Sequence, residues 1–294
     1  MFEVWSHPLP QEGLTLRGWY TPPTGKPLIH FLHGNGFCGR AYEPMLRHLA
    51  ADFDLWLSDI QGHGDSDHGE RFLGWNRNAD LALQAFQAQG SMFRGVPQFA
   101  VGHSFGGVLT SLLLAERGQP FERAVLLDPV LFSPAMLLGI SMVGLAGMSK
   151  LTPLAKAASK RRRHWPDREA AFEALRGRGT YKGWTESALR AFVDHALRMD
   201  EIKGGVTLKC SPSREADIFS SAPDRLWSSV GRIRVPTLIL HGEDSMPFVA
   251  PSAMQAASVN DAIQAQQVAG GHCFMQQDPA AAAQRVRSFL LSPR

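Results

Sequence analysis

Apolar and polar positions alternate in two rhythms along this chain. Short apolar runs at residues 27–32, 53–58, 97–102, 123–127 and 235–241 have the length and residue content of buried strands, and the alternating stretch 262–268 reads as a further strand. Between most of them, segments 41–51, 78–88, 108–116 and 280–291 repeat apolar residues every three and four positions, which predicts helices laid over a sheet. Strands separated by helices pair in parallel, because a parallel return needs a long crossover. Residues 1–20 instead alternate with period two around Glu12-Gly13, the pattern of an antiparallel edge hairpin.

The strand-helix rhythm stops between residues 131 and about 230, where the pattern is mainly helical. There Thr185 caps a helix whose Leu189, Phe192, Val193, Ala196 and Leu197 share one stripe, and Gly177 and Gly179 follow a helix at 167–176. Residues 136–148 are the most apolar part and predict a packed helix; its methionines also suit the wall of a lipophilic pocket. It falls short of the ~20 residues that span a bilayer. The basic run Lys160-Arg161-Arg162-Arg163-His164 predicts a solvated helix face.

Chemistry enters at Gly102-His103-Ser104-Phe105-Gly106, between an apolar run and a helical one. A G-x-S-x-G there forms a tight turn that lifts the Ser104 hydroxyl clear of the sheet. A serine attacks carbonyls usefully only beside an imidazole that takes its proton. Of the eleven histidines, His272, in Gly270-Gly271-His272-Cys273 after the last strand, is best placed for this. Backbone amides aimed at the negative oxygen of a tetrahedral intermediate lower the barrier further. The turn His33-Gly34-Asn35-Gly36 offers the Asn35 N–H, and Phe105 offers the second. His33, His63 and His103 sit in turns, where they are expected to hold loop backbone, and Cys273 is expected to pack without chemistry.

These turns, with Asp59-Ile60-Gln61-Gly62-His63-Gly64-Asp65-Ser66 between them, occur in an order that resembles the α/β-hydrolase family from about residue 27 to the C-terminus. The resemblance implies an α/β-hydrolase fold: a mostly parallel twisted sheet, helices on both faces and an inserted, mainly helical cap. It assigns residues 1–130 and 231–294 to the core, and 131–230 to a cap inserted after the sixth strand. It also implies a Ser-His-acid triad of Ser104, His272 and an aspartate. Relatives usually carry the acid three residues beyond a glycine, yet Gly242 is followed there by Ser245, with Asp244 one place early. Asp128, at a strand end before Pro129, matches the position used by other branches and is preferred to Asp244.

Composition narrows the reading. The 294 residues are 44% hydrophobic and 19% charged, enough to bury a large core, and a formal charge of +3 gives no reason to expect a nucleic-acid partner. Cys38, Cys210 and Cys273 lack paired spacing, so neither a disulfide framework nor a zinc site is expected. Residues 1–10 show no basic leader or apolar core, and a cytoplasmic location without membrane-surface contact is expected.

A serine at the turn, where dehalogenases and epoxide hydrolases resembling this family carry aspartate, points to acyl transfer. The expected activity is hydrolysis of a small or medium, largely apolar carboxylic ester through an acyl-enzyme on Ser104, without metal or organic cofactor. A thioesterase, lysophospholipase, carbon–carbon bond hydrolase, acyltransferase or non-catalytic ligand-binding protein shares the same frame.

Overall fold

The structure, a computed structural model, describes residues 2–145 and 153–293. Strands β1 (Glu3–Leu9) and β2 (Leu14–Tyr20) form the antiparallel edge hairpin that the period-two alternation predicts. Then follow β3 (Leu28–Leu32), helix α1 (Glu43–Leu49), β4 (Asp54–Asp59), α2 (Trp75–Gln89), β5 (Gln98–His103), α3 (Phe105–Leu114) and β6 (Arg123–Leu127). After β6 the chain leaves the sheet through α4 (Pro134–Leu145), α5 (Pro153–Ser159), β7 (His164–Trp165), α6 (Arg168–Leu175), α7 (Glu186–Ala196), β8 (Leu197–Met199), β9 (Val206–Leu208), α8 (Pro212–Phe219) and α9 (Leu226–Val230). It returns with β10 (Thr237–Asp244), α10 (Val249–Val259), β11 (Ile263–Gly271), α11 (Phe274–Gln277) and α12 (Pro279–Leu290).

The main sheet has the order β1-β2-β4-β3-β5-β6-β10-β11, and every neighbouring pair from β4 to β11 is parallel. Central strands read as continuous apolar runs because both faces are covered. In β3, Leu28 and Leu32 face a core built with α2, α3 and α10, whereas Ile29 and Phe31 face one built with α1 and α12. This period-two division gives the sheet two apolar faces, each carrying its own layer of helices.

The segment between β6 and β10 carries the helices α4 to α9, together with one feature that its helical pattern does not show. It holds a small antiparallel sheet, β7-β9-β8, whose strands of two and three residues are too short for periodicity to reveal. The basic run is no helix either: residues 161–163 are irregular and His164 begins β7, because residue 160 already lies past the end of α5. Arg161 is only 20% exposed along its side chain and is paired rather than solvated. Residues 136–145 of the apolar stretch belong to the helix α4, with Leu137 and Ile140 against the core and Leu138 and Met142 exposed; residues 146–148 of that stretch lie outside the described residues. Leu137, Ile140, the loop after α8 and the start of α9 line an open cavity of about 540 Å³. Trp165, Phe172, Tyr181 and Phe192 join the buried cluster under Ile29 and Phe31, so this segment shares a core with the sheet.

Thr185 caps α7 as the pattern predicts, its hydroxyl accepting from the Ala188 N–H at 3.2 Å. The same residue reaches the carbonyl of Gln276 in α11, through its backbone N–H at 2.9 Å. Thr185→Ala is expected to cost about 1 kcal/mol of stability, and Thr185→Ser to restore most of it. Urea unfolding of the two variants checks this.

Candidate active site

Ser104 sits between β5 and α3 with φ 54° and ψ −115°, a backbone conformation that a non-glycine residue adopts only when its surroundings impose it. Main-chain hydrogen bonds hold it: its N–H donates to Leu127 at 3.0 Å, and its carbonyl accepts from Val108 at 3.1 Å and from Val130 at 3.5 Å. A Cβ on Gly106 would overlap the carbonyls of Leu32 and His33, so only glycine lets α3 start this close to the end of β3.

His272 follows β11 and places Nε2 2.9 Å from Ser104 Oγ. Its Nδ1 lies 2.6 Å from Asp128 Oδ2. With the carboxylate accepting at Nδ1–H, Nε2 is left to accept the serine proton; this tautomer follows from the partners. Asp128 is fully buried at the end of β6, with φ 46°. Its Oδ1 accepts from the Gly242 N–H at 2.7 Å, and its Oδ2 also accepts from the Ser245 hydroxyl. Asp244 stands outside this cluster, exposed at the end of β10 where the pairing with β11 slips between Gly242 and Asp244. Ser245 therefore occupies the slot usual for an acid and donates to the carboxylate instead.

Asn35 and Phe105 carry the two amides expected to face an oxyanion. Neither N–H has an acceptor among the described residues, and Phe105 is the first residue of α3, where the helix leaves its amides unpaired. The Asn35 side chain is engaged elsewhere, its Nδ2 donating to the Glu215 carbonyl at 3.2 Å.

Three buried histidines brace the surrounding turns. His33 donates from Nδ1 to Gly34 at 2.8 Å and accepts at Nε2 from the Ile60 N–H at 3.0 Å. His63 accepts at Nε2 from the Gly36 N–H at 3.0 Å and donates from Nδ1 to Gln61 at 3.1 Å. His103 donates from Nε2 to the His272 carbonyl at 3.0 Å, so its Nδ1 accepts from Tyr42, 2.6 Å away; Tyr42 in turn accepts from the Gly34 N–H at 3.0 Å. One relay thus joins the turn after β3, the turn after β5 and the loop of His272. Burial pushes His33 down to about 4, and holds His63 and His103 well below the usual imidazole range. Asp59 anchors the next turn, accepting from the Gly39 and Asp65 N–H groups at 2.8 and 3.0 Å.

Cys273 is buried, and burial pushes its thiol up to about 12, in keeping with a packing role. Among the described residues no group of three or more His, Cys, Asp or Glu is arranged to hold a metal ion. Nor is any helix among them long and apolar enough to cross a membrane. Sequence reasoning missed Tyr42, Arg161 and Glu215 as neighbours of these turns. Tyr42 and Glu215 carry no motif, and Arg161 was hidden in a run of like charges.

The sequence profile of the alpha/beta hydrolase family matches residues 31–285, and the chain belongs to that family. Human monoglyceride lipase is 33% identical over 132 residues, which cover 43% of each protein. Lipase LipV of Mycobacterium tuberculosis is 30% identical over 147 residues, 49% of this chain and 54% of the lipase. The matches thus span about half the length of these relatives. Among solved structures, an E-2-(acetamidomethylene)succinate hydrolase superposes with a TM-score of 0.77 at 21% identity, covering 99% of both chains. The thioesterase domain of a curacin biosynthetic pathway gives 0.74 at 18%, covering 98% of this chain and 99% of that one. These likenesses establish the fold.

The buried imidazoles set a pH dependence of stability. Above about pH 6.5 they are neutral in both folded and unfolded chains. As the pH falls from 6.5 towards 4, the unfolded chain takes up protons that folded His33 refuses, so stability declines. His30, pushed down to about 3 by burial, acts in the same direction, as do His63 and His103. Asp59, pushed up to about 6 by burial, opposes them: between about pH 4 and 6 its folded form keeps a proton that the unfolded form releases. The four histidines are expected to outweigh it, giving a lower urea midpoint at about pH 4.5 than at about pH 7. A midpoint that rises on acidification contradicts this balance.

Proposed function

We propose that the chain is a serine esterase that cleaves a small or medium, largely apolar carboxylic ester through an acyl-enzyme on Ser104. The hydrogen-bonded series Ser104, His272 and Asp128, at 2.9 and 2.6 Å, carries the reading. Ser104 Oγ attacks the carbonyl carbon while its proton passes to His272 Nε2. Asp128 holds the ring in the accepting tautomer and stabilises the imidazolium. The N–H groups of Asn35 and Phe105 bind the oxygen that becomes negative. Collapse breaks the ester bond as His272 returns the proton to the leaving alcohol. Water, deprotonated by the same imidazole, then releases the acid and restores Ser104.

Residues 131–230 act in this proposal as a cap. The limited exposure of the site, with Ser104 at 7% and the His272 side chain at 26%, supports cover over the reacting atoms. The apolar surface of α4 supports an apolar substrate, as does the partial likeness to monoglyceride lipase and LipV. The free, buried cysteines support a reducing, cytoplasmic setting.

Labelling with a fluorophosphonate and turnover of p-nitrophenyl esters of increasing chain length test the reading. Wild type is expected to label at Ser104, and Ser104→Ala to lose both labelling and roughly a thousandfold or more of turnover. Asp128→Asn is expected to fall by a similar order, because the amide favours the wrong tautomer, whereas Asp244→Asn stays within about twofold. An unlabelled wild type, or an Asp244→Asn variant that loses activity while Asp128→Asn keeps it, refutes the assignment.

A further inference from the structure

Three pieces of the segment between β6 and β10 meet on residues 34–37, the turn that carries Asn35. Arg161, just past α5, donates from Nη1 to the Glu215 carboxylate in α8 and from Nη2 to the Tyr181 hydroxyl. Its guanidinium lies 5.8 Å from the centre of the Tyr181 ring and 5.9 Å from that of Phe192. Glu215 is 5% exposed, so this is a largely buried ion pair. It rests directly on main chain: a Cβ on Gly36, whose φ is 80°, would stand 2.8 Å from Glu215 Cδ and 3.0 Å from Arg161 Nη1. The Glu215 carbonyl receives Asn35 Nδ2 at 3.2 Å, and from the opposite side His63 takes the Gly36 N–H at 3.0 Å. Phe37 is wedged among Trp184, Phe192 and His103.

The turn is therefore clamped between the core histidine below and an ion pair above. Such a pair contributes little net stability, but removing one partner strands a buried charge, and the groups around it must shift to reach water. An amide that serves a developing oxyanion is sensitive to such shifts, since a displacement of about 1 Å at a reacting group can cost on the order of a hundredfold in rate.

We propose that Arg161 and Glu215 are positioning residues whose ion pair holds residues 34–37 so that the Asn35 N–H meets the oxyanion formed on Ser104-bound substrate. This rests on the serine esterase reading and adds to it: the segment over the site sets catalytic power as well as substrate fit. Glu215→Gln tests it while keeping the side-chain shape and the carbonyl that Asn35 uses; Arg161→Gln and Arg161→Lys complete the set.

In the full chain, active sites are counted by fluorophosphonate labelling carried to completion. Glu215→Gln and Arg161→Gln are expected to lower kcat per labelled serine by roughly ten- to a hundredfold with KM within about threefold, and Arg161→Lys to recover most of the loss. Affinity for a trifluoromethyl ketone, which forms a tetrahedral adduct, falls by the same factor as kcat. Amide hydrogen exchange in residues 33–38 quickens in both glutamine variants while that of β3 and β4 stays as in wild type. Unchanged kcat per labelled serine together with unchanged exchange overturns the proposal, whatever happens to the melting temperature. If wild type neither labels nor turns over esters, the esterase reading falls and exchange alone decides: faster exchange in residues 33–38 upholds the clamp, and unaltered exchange overturns it.

Discussion

A carboxylate without solvent has to find donors, and Asp128 finds them on separate parts of the chain. Its own position ends β6; the Gly242 N–H and the Ser245 hydroxyl come from the end of β10; the His272 ring comes from the loop after β11. Burying a charge is costly unless it is paired and hydrogen-bonded, so the three strand ends are bound to one another by that need. The slip in pairing between β10 and β11 at Gly242 and Asp244 belongs to the same arrangement. It turns Asp244 outward and brings Ser245 in, and the usual acid slot becomes a support for an acid seated one strand away.

The histidines show the opposite solution to burial. His33, His63 and His103 stay neutral and use both ring nitrogens, one as donor and one as acceptor, to bind backbone or a phenol. A neutral imidazole suits this because it joins two otherwise unpaired groups without bringing a charge into the core. Through Tyr42 the relay passes from Gly34 to the carbonyl of His272, so the geometry around Ser104 is shared among loops far apart in the chain.

Much of this was legible in the residues. Period-two alternation marked β1 and β2, continuous apolar runs marked the central parallel strands, and Thr185 marked the start of α7, because each is a local signal set by backbone geometry. Helix starts were less clear: α2 begins three residues earlier than its apolar repeat, at Trp75, and α3 begins immediately after Ser104. The meeting of Ser104 with His272 was readable from motif order. Asp128 lies against His272 and Asp244 does not, but a one-residue slip in a turn decides which carboxylate comes near, and no pattern of hydrophobicity records such a slip. Arg161 and Glu215, 54 residues apart, share no motif. Their pairing follows from how α5 and α8 pack, which lies beyond local sequence.

The rings of Trp165, Phe172, Tyr181 and Phe192 lie in the same apolar mass as Ile29, Phe31 and Leu57. The excursion between β6 and β10 is therefore no detachable shutter on a finished scaffold. Cutting it out would open one face of the central sheet to water, and the two portions are bound to melt together. The helix α4 is the exception, since its Leu138 and Met142 face outward and carry none of that shared mass.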